Sequence, residues 1–397
     1  MGNYEQLTAM VPGAPSWDID WQCVESSALK QYVDEMIRTP QSPRWHAEGD
    51  VWTHTRMVCE CLVAMPEYRV LPVSQRRVLF LAALLHDVGK TAATRQEGSE
   101  WVSPGHASKG ALIARELLWN DFGLCGTEEL MLMREAIAGL VKYHSFPPYA
   151  LEKEENVQRM VSIAAMSGLA PDFSLRLLYL LSKADALGRE CEDKEDFVAQ
   201  VELFAELAME NGCLDAPVRF ASDLTRRAYF QGKDVWPQQE LYDETWGEVV
   251  MMCGLPGTGK DYWISRNCEG MPVVSLDEIR RKYGISPEGP QGYVASLGKE
   301  EAKGYLRKRQ PFVWNATCIT VDIRRQLINL FESYGASVRI VYLETDMKTQ
   351  LYRNANREYP VPEVVITNML RKLSLPEIHE ARKVEWISSG LSWLLKR

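Results

Sequence analysis

Gly254-Leu255-Pro256-Gly257-Thr258-Gly259-Lys260 carries glycines and a lysine at the G-x-x-x-x-G-K spacing that suits a triphosphate. Glycine lets backbone N–H groups crowd around phosphate oxygens, and the lysine ammonium meets the β/γ oxygens. The apolar run at 248–253 just before it reads as a buried parallel strand. The stretch after Lys260 reads as a helix whose positive end faces the same anion. Gly254, Pro256, Gly257, Thr258, Gly259 and Lys260 are therefore expected to hold a nucleoside triphosphate, ATP or GTP. Asp261 stands where such loops usually carry the Ser or Thr that binds magnesium. Aspartate is itself a hard oxygen ligand, so magnesium with the nucleotide is still expected, with Asp261 in the site.

Asp277, in Val273-Val274-Ser275-Leu276-Asp277-Glu278-Ile279-Arg280, falls just past a second strand, at the carboxyl edge where parallel sheets bind ligands. A carboxylate there accepts the proton of an attacking hydroxyl as the γ-phosphoryl leaves in line. Arg280 shares its helix face and can fork onto a substrate phosphate; a surface arginine is the plain rival. Arg353 and Arg357 are four apart, which on one helix puts both guanidinia on one side, as a lid over the triphosphate. Pro360 and Pro362 bound that segment as hinges would. An exposed basic face is the alternative.

Five of the six histidines fall between positions 46 and 144. His54 lies at a helix start after Asp50, and His86-Asp87 ends an apolar helix. His106 follows Pro104-Gly105, His144 follows Lys142-Tyr143, and Asp185 follows Ser182-Lys183-Ala184. Imidazole with carboxylate is the ligand set of a catalytic divalent metal that keeps positions open for water and phosphate. Such a metal acidifies bound water. His86 and Asp87 point about 100° apart on a helix, so both reach one metal while Asp87 leans toward a second. Lys90, near one turn on, is either a phosphate-neutralising group or a surface lysine. His46 is expected to line the pocket or serve structure.

The elements that must position these groups come in two kinds. Residues 16–230 read as helical almost throughout, with Asp50 capping 51–65, Ser74 capping 75–85, and a helix over 173–189. Beyond the loose stretch near Trp236-Pro237, short β-like runs (248–253, 272–275, 311–315, 337–343, 384–387) alternate with helices, as in a parallel α/β sheet. The expected organisation is an all-α domain over 1–235, a linker over 236–246 and an α/β domain over 247–397. At 397 residues, two domains are the prior. The net charge of −9 is uneven: residues 247–397 carry 22 Lys+Arg against 17 Asp+Glu, the rest 23 against 37, which favours a polyanionic substrate in the second half. No apolar run is long enough for a membrane span, and the first residues show no signal peptide. Nine scattered cysteines without a C-x-x-C pair suggest buried thiols in a reducing cytoplasm.

In order and type, His54, His86-Asp87 and Asp185 resemble the H…HD…D set of the HD phosphohydrolase superfamily. The resemblance implies His54, His86, Asp87 and Asp185 as ligands of one metal, with His106 and His144 similar to the extra ligands of two-metal members. The phosphate loop, Asp277/Arg280 and Arg353/Arg357 resemble 5′-hydroxyl polynucleotide kinases and their small-molecule relatives over roughly 248–387. Trp314-Asn315-Ala316-Thr317 is similar to a motif of that group whose polar side chains line the acceptor pocket, implying Asn315 and Thr317. The fusion resembles the HD-Pnk end-healing enzymes. It implies one or two divalent transition-metal ions in the HD domain, magnesium with the nucleotide, RNA or DNA ends as substrates, and a ligase acting downstream. A nucleotide phosphohydrolase fused to a small-molecule kinase is one rival. An NTP-gated binding protein with a vestigial HD pocket is the other.

Overall fold

The computed structural model describes residues 3–285 and 289–388; the tail of the expected second domain, 389–397, lies outside them. The chain divides into two compact units, Met1–Leu124 with Glu129–Val218, and Cys125–Glu128 with Arg219–Arg397. No helix among the described residues is long and apolar enough to cross a membrane.

The first unit is helical. Asp50 accepts the Thr53 N–H at 2.9 Å and starts the helix Val51–Ala64, which stops before Pro66. The helix Val73–Leu85 is buried on every side from Val78 onward, as a central core helix must be. Ser74 does not cap it: Pro72 fixes the entry, the helix starts at Val73, and Ser74 Oγ donates to Asp172 instead. Ser174 caps Leu175–Leu187 through the Leu177 N–H. Helices His106–Asn120 and Glu128–Tyr143 complete the set that carries the histidines. A small antiparallel hairpin, β1 (Arg95–Glu97) and β2 (Glu100–Val102), turns at Gly98 and departs from the all-helical expectation for this region. Gly89 decides how closely these parts pack. A Cβ there would lie 2.1 Å from the His106 carbonyl oxygen and 2.4 Å from the Gly110 nitrogen, so glycine alone lets the His106 helix approach the His86-Asp87 turn.

In the second unit β3 (Glu248–Cys253), β4 (Val273–Ser275), β5 (Phe312–Asn315), β6 (Ser337–Glu344) and β7 (Lys383–Ser388) form one parallel sheet in the order β4-β5-β3-β6-β7. Helices cover both faces, so after Glu248 β3 is continuously apolar from Val249 to Cys253 rather than alternating. On one face Val250, Met252, Val313, Val341 and Leu343 pack with Trp263 and Ile264. Residues 219–246, which the sequence pattern divides between the first domain and a linker, pack within this second unit. Arg227 of the helix Asp223–Phe230 forks onto Glu332 and donates to the His379 carbonyl, and Trp246 Nε1 donates to the Tyr334 carbonyl. None of the nine cysteines forms a disulfide. Five are buried as expected; Cys23, Cys61, Cys125 and Cys191 are partly exposed.

Candidate functional site

In the first unit the structure brings His54, His86, Asp87, His106, His144 and Asp185 together in a buried cluster. Each histidine turns its Nδ1 outward. His86 Nδ1 donates to the Ala83 carbonyl at 2.8 Å, His106 Nδ1 to Ser103 at 2.9 Å and His144 Nδ1 to Val141 at 2.8 Å, while His54 Nδ1 meets Glu48 at 2.8 Å. These outer contacts fix the tautomer and aim every Nε2 inward. There His54 Nε2 lies 3.0 Å from Asp185 Oδ1 and 3.8 Å from Asp87 Oδ2, and His86 Nε2 lies 3.3 Å from Asp87 Oδ2. On the other side of the same carboxylate, Asp87 Oδ1 is 3.4 Å from His106 Nε2 and 3.7 Å from His144 Nε2, which are 3.2 Å apart.

This donor set fits a divalent metal. His54/His86/Asp87 and Asp87/His106/His144 are two triads that share Asp87. His106 and His144 face each other with lone pairs and no proton between them, a repulsive contact that a cation relieves. His86 Nε2 and Asp87 Oδ1 are buried and make no hydrogen bond. Burial lowers the pKa of His106, and that of His144 to about 3, so both rings stay neutral and ready to ligate. Burial alone would also lower His54, but Asp185 and Glu48 outweigh it and raise its pKa.

His86 caps the helix Val73–Leu85 and Asp87 lies in the turn beyond it, so the expected splay along a continuous helix is replaced by a turn. Lys90 is buried, which rules out the surface reading. Its Nζ lies 2.7 Å from Asp87 Oδ2, donates to Gln41 Oε1 at 2.6 Å and sits 3.4 Å from His46 Nε2. His46 is a buried wall residue hydrogen-bonded to Glu48 at 2.7 Å. The structure adds three partners that the sequence does not point to: Glu48, which holds both His46 and His54; Gln41; and Arg189, which forks onto Asp185 at 2.7 and 3.2 Å. Only Arg189 carries a signal, its i,i+4 spacing from Asp185.

In the second unit the loop after the central strand β3 adopts backbone angles that demand glycine. Gly254 has φ +137° and a Cβ there would fall 2.3 Å from the Leu343 carbonyl oxygen. Gly257 and Gly259 have φ +82° and +98°. Thr258 is buried, its hydroxyl donating to Leu255; Gln350 Nε2 holds the Pro256 carbonyl at 2.9 Å. Lys260 Nζ lies folded over the loop, 3.0 and 2.9 Å from the carbonyls of Gly254 and Leu255, and burial lowers its pKa. Asp261 is exposed and accepts a 2.7 Å hydrogen bond from Asn315 Nδ2 at the end of β5. The Thr317 carbonyl accepts the Gly254 N–H, so that segment braces the loop by its backbone.

Asp277 sits at the carboxyl edge of β4 with both oxygens engaged. Oδ1 pairs with Arg280, and Oδ2 lies 3.3 Å from Arg357. Arg280 also donates to Gln291 Oε1 at 2.9 and 3.0 Å. The shared helix face expected for Arg353 and Arg357 is corrected: the helix Met347–Ala355 ends at Asn356, so only Arg353 is helical and Arg357 lies in the following turn. Leaving the helix is what lets Arg357 reach Asp277.

Residues 51–189 match the HD domain family and residues 249–376 the AAA domain family. The chain thus carries an HD domain followed by a P-loop, kinase-like α/β domain. Among curated proteins it is 31% identical over 101 residues to the multifunctional CCA protein of Shewanella frigidimarina, covering 25% of this chain and 22% of that one. It is 22% identical over 136 residues to the L-seryl-tRNA(Sec) kinase of Methanococcus maripaludis, covering 32% of this chain and 53% of that one. The chain therefore spans about a fifth and about half of these two relatives. A solved structure of a kinase from Chloroflexus aurantiacus overlays 38% of this chain and 89% of its own at 10% identity and a TM-score of 0.30, too loose an overlap to bear on the fold.

Proposed function

We propose that this chain heals nucleic-acid ends. Its HD domain hydrolyses 2′,3′-cyclic phosphate and 2′(3′)-phosphate termini, and its P-loop domain transfers the γ-phosphate of ATP or GTP to a 5′-OH terminus. The observation that supports this most is Asp277, placed at the sheet edge near the phosphate loop and flanked by two arginines. In this reading Gly254, Pro256, Gly257, Thr258, Gly259 and Lys260 hold the nucleotide. Asp261, oriented by Asn315, offers an oxygen to the accompanying magnesium. Asp277 takes the proton of the attacking hydroxyl, Arg280 steadies the flanking phosphate, and Asn315 and Thr317 line the acceptor side. Arg353 and Arg357 neutralise the charge that develops on the transferred phosphoryl group.

In the HD domain, His54, His86, Asp87 and Asp185, and Asp87 with His106 and His144, would hold one or two divalent transition-metal ions. Such ions supply an acidified water and shield phosphate charge. Lys90 adds a cation beside Asp87 for the substrate phosphate. The RNA-linked acceptor in the name of the kinase relative, and the basic charge of the second half, favour RNA or DNA ends over free nucleosides. A ligase consumes the resulting 5′-phosphate and freed 3′ terminus.

One incubation tests both halves: an oligonucleotide with 5′-OH and 2′,3′-cyclic phosphate ends, ATP or GTP, and a panel of divalent metals. The expected product gains a 5′-phosphate and loses its terminal 2′,3′ phosphate. Untouched ends, with free nucleosides phosphorylated efficiently, overturn the proposal in favour of small-molecule substrates.

A further inference from the structure

The segment just past His144 opens into a cavity of about 360 Å³ that none of the roles above uses. Ser145, Phe146 and Tyr149 form one wall, and Lys142, Lys153 and Arg159 supply cations around it. The volume falls within the range of small-ligand pockets, roughly 300–1,000 Å³. Its floor is rigid. Phe146 is buried, and the Arg159 guanidinium lies over its ring at 5.0 Å, while Asn156 Nδ2 fixes the turn by donating to the Tyr149 carbonyl at 2.9 Å. Tyr149 is 46% exposed, its ring offered to solvent on the turn Pro147–Tyr149. The cavity adjoins the histidine cluster along the chain: Ser145 is the residue after His144, whose carbonyl accepts from Ser182 at 2.6 Å. Two glutamates, Glu152 and Glu155, also line the rim; Glu155 lies 4.0 Å from Lys153 in an exposed pair that ties up little of either charge.

We propose that this cavity is a strand-binding subsite of the HD domain. It takes the nucleotide next to the terminal phosphate of a single-stranded RNA end, with its backbone phosphate on Lys153 and Arg159 and its base on the Tyr149 ring. An exposed aromatic among cations is the arrangement that binds single strands without reading sequence. The inference rests on the end-healing reading and adds to it the residues that would make the HD domain prefer a polymer.

The test uses the full chain and two measurements. The first is fluorescence anisotropy in chelator, where hydrolysis is stopped, with an oligoribonucleotide phosphorylated at both its 3′ and 5′ ends so that no kinase acceptor remains. Tyr149→Ala and Lys153→Ala/Arg159→Ala should each weaken binding on the order of tenfold, with Tyr149→Phe restoring it because the ring is kept. The second is metal-loaded turnover: the ratio of kcat/KM for the 3′-phosphorylated oligonucleotide to that for bis(p-nitrophenyl) phosphate should fall by a similar factor. Binding that stays at the wild-type value, or a ratio that does not move, overturns the subsite. Failure of the wild-type protein to hydrolyse any oligonucleotide end, while it cleaves the small ester, instead overturns the end-healing reading and leaves the binding result to decide the subsite.

Discussion

Arg189→Met tests whether the buried carboxylates of the first unit are organised for a metal. Arg189 and Asp185 are 17% and 4% exposed, and the guanidinium forks onto both carboxylate oxygens. Burial alone would raise the Asp185 pKa, yet it is held well below the usual range, by Arg189 first and then His54. Removing the arginine leaves an ionised, dehydrated carboxylate with only His54 at 3.0 Å. Breaking one partner of a buried pair costs about 3–5 kcal/mol. For a unit of this size that lowers the melting midpoint by roughly 10 °C in chelator. Methionine keeps the side-chain bulk, so little of the loss comes from packing. If Asp185 faces a cation site, the stranded charge is then free for the ion, and whatever stability metal recovers must reappear as tighter binding. Each recovered 1.4 kcal/mol is about a tenfold lower Kd. The assay is calorimetric melting of the full chain in chelator and with Mn2+, with titration calorimetry for Kd. A variant that melts like the wild type in chelator, or that binds Mn2+ no more tightly, refutes the argument.

Asp277→Asn keeps the shape but not the proton acceptor, so 5′ phosphorylation should vanish while hydrolysis of the other terminus stays near wild type, read by following both ends of one labelled oligonucleotide. Asp87→Ala removes the carboxylate shared by both triads; bound metal measured by mass spectrometry and hydrolysis should both collapse, whereas His46→Ala should cost far less. Gly254→Ala forces a Cβ against the Leu343 carbonyl, so the loop must shift and the NTP Kd should rise on the order of tenfold by titration calorimetry. Arg280→Ala should raise KM for the acceptor more than for NTP, with Arg353→Ala and Arg357→Ala acting mainly on NTP use and kcat.

The phosphate loop is legible in the sequence because its chemistry is local: one strand, one turn and one helix contain it. The histidines are legible by type and order, since so many on a helical scaffold are hard to explain as core residues. Glu48 and Gln41 are not, because they act on His54 and Lys90 only after the chain folds back, and an isolated Glu or Gln carries no periodic signal. Arg357 departs from expectation for a different reason. Its spacing from Arg353 implies a continuous helix, whereas helix propensity fails at Asn354-Ala355-Asn356, where Asn354 bonds the Val361 backbone through both its amide groups and turns the chain. Ser74 loses its capping role to Pro72, whose preset φ begins the helix two residues earlier.

The two arginines on Asp277 have a consequence for the order in which substrates are used. Each guanidinium takes one lone pair of Asp277 and leaves others open on a carboxylate that is 59% exposed, so an acceptor hydroxyl competes with Arg280 and Arg357 for the same oxygens. In the proposed reaction a triphosphate, which carries several times the charge of Asp277, would compete for Arg357 and free Oδ2. If 5′ phosphorylation is the reaction, the acceptor should be used best with the nucleotide already in place.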